Sequence, residues 1–144
     1  MREGKDSEKH RELIAELVEI FLREEFEVLG VSGGGTYAEP LSLPNDGYGD
    51  QEDKEPDVYA FDGKKRCYVL GEAKTGNGDF ETEHALTQYN VFLDQVHQRS
   101  GQRASLYIIV PASKVPEFNS LITHYIHREY WGNILLVSSK RWME

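Results

Sequence analysis

Between Ser7 and about Phe26 the apolar residues Leu13, Ile14, Leu17, Val18, Phe21 and Leu22 recur at the spacing of one helix face. Glu12, Glu16 and Glu19 fall on the opposite side and read as solvated, and Ser7 is placed to cap the amino end. The period then changes. Phe26 to Val31 reads as a strand, closed by Ser32-Gly33-Gly34-Gly35. That glycine run precedes no helix and lacks the lysine of a phosphate-binding loop, so it reads as a hinge or flap. Pro40, Pro44, Asn45-Asp46-Gly47 and the acids from Asp50 to Glu55 then predict a long acidic loop over about residues 32–55. Loops of such length are functional or disordered.

Beyond the loop, Asp57 to Phe61 alternates, Asp62-Gly63 supplies a turn, and Arg66 to Ala73 is rich in strand formers, which together predict a hairpin. A second helix is expected from about Phe80 to Arg99, with Asp79 as N-cap and Ala85, Leu86, Tyr89, Phe92, Leu93 and Val96 on its buried face. Ser105 to Val110 is a continuous apolar run of the kind found in buried central strands, Pro116 to Tyr130 reads as a third helix, and Ile134 to Ser138 as a last strand. The expected order is α-β-β-β-α-β-α-β, an α/β fold in a single domain over residues 1–144.

Composition narrows the class. With 39% apolar and 28% charged residues the chain is globular rather than disordered, and no apolar run is long enough to span a bilayer. Met1 to Ser7 lacks the apolar stretch of a signal peptide, so a cytoplasmic protein with no membrane role is expected. The lone Cys67 excludes an internal disulfide and a cysteine-based zinc site. A net charge of −9 is unusual for a protein that binds nucleic acid, but it is unevenly spread. Residues 1–56 hold 15 acids against 6 basic residues, whereas residues 57–144 hold 10 of each. Lys64-Lys65-Arg66, at the expected hairpin tip, is the densest basic cluster.

The candidate chemistry sits at the two ends of that hairpin. A hydrated divalent cation such as Mg²⁺ binds through one or two carboxylates and keeps its remaining positions for water and phosphate. Asp57 opens one strand, Glu72 lies near the end of its antiparallel partner, and such positions meet at one end of a sheet. Glu72 and Lys74 are two residues apart, so both side chains leave one face while Ala73 points to the other. The lysine therefore falls beside any cation the two acids hold.

Pro56-Asp57, a hairpin spacer and Gly71-Glu72-Ala73-Lys74 resemble the signature of the PD-(D/E)xK nuclease superfamily, and the order of elements resembles its common core. The resemblance implies a restriction-endonuclease-like mixed β-sheet flanked by helices. It implies a metal-dependent endonuclease using Mg²⁺ or Mn²⁺, with Asp57, Glu72 and the Ala73 carbonyl as metal ligands and Lys74 as the catalytic lysine. Members similar to archaeal Holliday-junction resolvases add a glutamate from the first helix, for which this chain offers several acids, among them Glu8 near the helix start, with no single choice, and some relatives place a glutamine and a tyrosine after the lysine, where Gln88-Tyr89 stands. His10 lies on the core-facing side of the first helix.

Each residue also has a plain structural reading: Asp57 as a turn acid, Glu72 and Lys74 as a cross-strand ion pair, Glu8 as a helix N-terminal acid. His124 and His127 read as part of an ordinary helix surface. The expected partner is nucleic acid, most of all DNA. The acidic first part implies a short or structured substrate, a protein partner, or a homodimer that joins two neutral faces. The alternative is a catalytically silent member of the superfamily that binds nucleic acid or protein.

Overall fold

A computed structural model describes residues 5–33 and 35–144, the first three of them by backbone alone. The chain runs α1 (Lys5–Arg23), β1 (Glu27–Val31), β2 (Val58–Asp62), β3 (Cys67–Ala73), α2 (Glu83–Leu93), β4 (Ser105–Val110), α3 (Val115–Tyr125) and β5 (Ile134–Ser138), with short 3-10 turns at Ala112–Lys114 and Arg128–Asn133. Helices and strands follow the order expected from the pattern, and each strand falls within one residue of its expected bounds. Together they make a mixed α/β fold on one open five-stranded sheet, ordered β1-β2-β3-β4-β5. The first three strands pair antiparallel and the last three parallel. The β2–β3 connection is tight because Asp62 Oδ1 accepts hydrogen bonds from the backbone N–H of Lys64 and Lys65 at 2.9 and 3.2 Å. The two parallel steps instead carry α2 and α3, since parallel neighbours need a crossover.

Alternation along the strands decides what each face meets. Val58, Ala60, Val69, Ala73 and Ile109 pack against Leu13, Leu17 and Phe21 of α1. Leu70, Leu106, Ile108 and Val110 pack against Tyr89 and Phe92 of α2 and Phe118 of α3. Gly71 permits the close seating of α1, because a Cβ there would lie 2.7 Å from Leu17 Cδ2 and 3.1 Å from the Phe21 ring. Of the expected apolar stripe of α1, Leu13, Ile14, Leu17 and Phe21 are buried and Val18 is half-buried, whereas Leu22, expected on the same face, is 52% exposed.

Several expected boundaries and exposures differ from those seen. Ser7 lies inside α1 rather than at its cap. The second helix is shorter than Phe80 to Arg99: Thr82 is its N-cap and accepts from Ala85 N–H at 3.0 Å, and the helix ends at Leu93. Asp79 instead fastens the turn after β3, accepting from the N–H of Thr75 and Gly76. After Leu93 the chain turns back so that Val96 bridges to Arg103, leaving Val96 45% exposed instead of buried on a helix face. The third helix stops at Tyr125, and His127 caps the following 3-10 turn by accepting from Glu129 N–H.

The acids of α1 are not simply solvated. Glu16 is buried; its Oε1 accepts from Ser139 Oγ and its Oε2 from Lys140 N–H, both at 2.7 Å. Glu12 accepts from Trp142 Nε1 at 3.1 Å, and Glu19 pairs with Arg141. All three acids dock residues 139–142, a long-range contact that helical spacing alone cannot reveal. The acidic loop is likewise ordered over its described residues: Asn45 Oδ1 accepts from Gly47 and Tyr48 N–H, and Leu43 bridges to Lys54. Of the Gly33-Gly34-Gly35 run, Gly34 lies outside the described residues, while Gly33 N–H donates to Glu39.

Candidate active site

Asp57 and Glu72 stand one step beyond the Val58↔Gly71 pair, facing each other across the end of the β2–β3 hairpin. Two hydrogen bonds tie the strand ends together: Asp57 N–H donates to Glu72 Oε1 at 3.1 Å, and Ala73 N–H donates to Asp57 Oδ2 at 2.9 Å. Glu72 and Lys74 leave β3 on the α2 side, where Lys74 Nζ lies 3.3 Å from Glu72 Oε2 and donates to Gln88 Oε1 at 2.6 Å. Ala73, as the strand alternation requires, packs on the α1 side. Lys74 N–H donates to the Ile109 carbonyl, so β4 fixes the backbone at the lysine. The Lys74 ammonium also sits 5.7 Å from the centre of the Tyr89 ring, and Tyr89 is held by its hydroxyl donating to the Phe80 carbonyl.

Electrostatics at this point are strained. Glu72 is 2% exposed and Lys74 6%. Burial, followed by the neighbouring Asp57 carboxylate, pushes the Glu72 carboxyl up to about 8, against the opposing pull of Lys74 and His10. His10 stands on the other flank, its Nε2 3.2 Å from Asp57 Oδ2, and that hydrogen bond raises its pKa above the ordinary histidine value despite partial burial.

Two carboxylates forced together, one of them buried with a raised pKa, form an arrangement that a divalent cation relieves. The donor set is oxygen-rich, as Mg²⁺ and Mn²⁺ require, so Asp57 and Glu72 fit such an ion, with the Ala73 carbonyl at the same strand end. A second group of ligand types, Asp50, Glu52 and His84, draws together on the loop and the start of α2. There Lys54 already provides the cation: its ammonium is 2.7 Å from Asp50 Oδ2 and 2.8 Å from His84 Nδ1, and Lys54 is 2% exposed. This group pins the loop to α2, helped by Asp50 N–H donating to Thr87 Oγ1.

Of the residues singled out in the sequence, Asp57, Glu72, Ala73, Lys74 and Gln88 come together, and Glu8 does not. Glu8 is exposed and makes no hydrogen bond or ion pair among the described residues. Two residues along a helix turn the side chain by roughly 200°, so the helix that delivers His10 to Asp57 carries Glu8 away. The signal for His10 was its place three residues before Leu13 and four before Ile14, on the stripe that faces the sheet. The Lys54 clamp had only Asp50, four residues before it, as a local signal, because His84 lies on a separate segment.

Fold and site together define a mixed α/β protein with a buried carboxylate and lysine cluster at the end of its central hairpin. Comparison with models of known protein families, with curated proteins and with solved structures found no match. Among the described residues, no helix is long and apolar enough to cross a membrane.

Proposed function

We propose that this protein is a metal-dependent nuclease of the PD-(D/E)xK type, hydrolysing phosphodiester bonds of DNA, with Asp57, Glu72, Lys74 and Gln88 as its working residues. One observation carries the reading: Glu72 and Lys74 share the α2 face at the end of β3, 3.3 Å apart and directly across from Asp57. A bound Mg²⁺ or Mn²⁺ would supply charge neutralisation at the phosphate and a more acidic water. Asp57 and Glu72 hold that ion. Gln88 keeps the Lys74 ammonium aimed at the carboxylates, where it also neutralises charge gathering on the phosphate oxygens. In the reaction a water oxygen bonds to phosphorus as the ester P–O bond breaks, leaving a phosphate monoester and a hydroxyl. His10 orients Asp57 from the α1 side and is a positioning residue.

A second reading is supported by the burial of Lys74 and its engagement by Gln88 and Glu72, together with the net charge of −9. It is a silent member of the same fold in which these groups form a structural ion pair. Calorimetric titration with Mn²⁺, beside incubation with branched, duplex and single-stranded DNA, separates the two. The nuclease binds Mn²⁺ through Asp57 and Glu72 and cuts DNA, and Asp57→Asn abolishes both. Unchanged Mn²⁺ binding in an Asp57→Asn, Glu72→Gln double variant, or cleavage that persists in it, overturns the proposed site.

A further inference from the structure

The side chains at Asp57, Tyr59 and Phe61 alternate onto the same face as those at Glu72, Leu70 and Tyr68, so the α2 side of the hairpin continues from the carboxylates toward its tip. Along it Tyr59 and Tyr68 stack with ring centres 5.5 Å apart, and Phe61 and His97 pack around the Tyr68 ring at 5.6 and 5.4 Å. The half-buried Tyr68 and the buried Tyr59 border an open cleft of about 390 Å³ whose other walls are the chain leaving α2, with Gln95, Val96, Gln98 and Arg99, and Leu43 of the long loop. No carboxylate lines this cleft, in a chain of net charge −9. Its far end is basic: Lys64, Lys65 and Arg66 are exposed at the hairpin tip. Ser100 Oγ donates to the Arg66 carbonyl at 2.6 Å and so ties that tip to the segment carrying Arg99. Glu25 pairs with Lys64 in an exposed contact, leaving Lys65, Arg66 and Arg99 without an acidic partner among the described residues.

Aromatic rings beside cationic side chains are what single-stranded nucleic acid uses, since every base has a face to stack and every phosphate a charge to neutralise. Four residues of strand rise, about 13 Å, separate Tyr68 from Glu72, and Leu70 between them is fully buried under α2, so the cleft is a surface apart from the carboxylates. We propose that this cleft is a binding site for single-stranded nucleic acid. The inference rests on the nuclease reading for its purpose, but its binding is measured apart from cleavage.

The test is fluorescence anisotropy with a short labelled oligothymidylate and its duplex, in EDTA so that nothing is cut. The parent should prefer the single strand. Val96→Glu places a carboxylate at an exposed cleft position and should weaken single-strand binding by about tenfold, whereas Leu135→Glu, an exposed position on β5, should leave it nearly unchanged. Replacing Lys65 and Arg99 by Gln should lower the salt slope by about 0.7 each. Equal losses in Val96→Glu and Leu135→Glu, or no binding by the parent, overturn the cleft. If binding depends on Val96 but no DNA is ever cut, the nuclease reading fails and the cleft stands. If Val96→Glu binds the single strand as tightly as the parent while DNA is still cut, the cleft fails and the nuclease reading stands.

Discussion

Changing Glu72 to Gln in metal-free protein tests the site most directly, because it removes one charge and almost no volume. In the parent, burial and the Asp57 carboxylate raise the Glu72 pKa from 4.5 to about 8. Between those values the folded protein holds a proton that the unfolded chain has released. Its contribution to stability is therefore full below about pH 4.5 and is lost as pH rises toward about 8. At about 1.4 kcal/mol per pH unit, the loss amounts to a few kcal/mol, a balance in which Lys74 already opposes burial and Asp57. The His10 pKa is raised as well, so its protonated form adds a loss of the same sign, and the comparison is best repeated in a His10→Gln background. The Gln amide sets a donor against either Asp57 N–H or Lys74, a cost that does not vary with pH. The test is therefore relative: from pH 5 to pH 8 the parent should lose about 3 kcal/mol against Glu72→Gln, or roughly 10 °C in Tm for a chain of this size. The assay is thermal unfolding by circular dichroism from pH 5 to pH 8 in EDTA, then with Mn²⁺. Mn²⁺ should raise the parent's Tm more at pH 8 than at pH 5 and leave the variant unmoved. A parent whose Tm is flat or rising over that range relative to the variant would show Glu72 ionised and held by Lys74 as a structural pair.

Other perturbations probe separate contacts. Lys74→Met should abolish cleavage and cost about 1–3 kcal/mol by leaving Gln88 Oε1 without its donor; urea unfolding and a DNA cleavage assay check both, and retained cleavage removes Lys74 from the chemistry. Glu16→Ala should cost about 1–3 kcal/mol and expose the segment after Ser138 to proteolysis, since Ser139 Oγ and Lys140 N–H lose their acceptor; an unchanged digestion pattern counts against that docking. Gly71→Ala should cost about 1–3 kcal/mol through overpacking against Leu17, and Leu17→Val in the same chain should recover part of it, which denaturant midpoints would reveal.

Charge changes on α1 illustrate how local reasoning goes astray. Glu12, Glu16 and Glu19 stand opposite the stripe of Leu13, Leu17 and Phe21, and a helix taken alone would give all three to water. In the folded chain the residues after β5 cross that face, and each glutamate receives a donor from Ser139, Lys140, Arg141 or Trp142. A triple glutamine variant therefore tests the docking of the carboxy-terminal segment as much as any repulsion of DNA.

What could be read in the sequence follows from periodicity. The two-residue alternation of β2 and β3 and the helical spacing of α1 are short-range properties, so the strands, their order and the shared face of Glu72 and Lys74 are legible from residue types alone. Asp57 and Glu72 were legible as a pair for the same reason, since a tight hairpin sets its own register. The rest depended on contacts between distant segments. His10 reaches Asp57 only because α1 lies across the sheet with its amino end at the mouth of the hairpin. Lys54 is buried only because the loop folds onto His84 of α2. The raised pKa of Glu72 arises from desolvation, which belongs to the packed core and to no stretch of sequence.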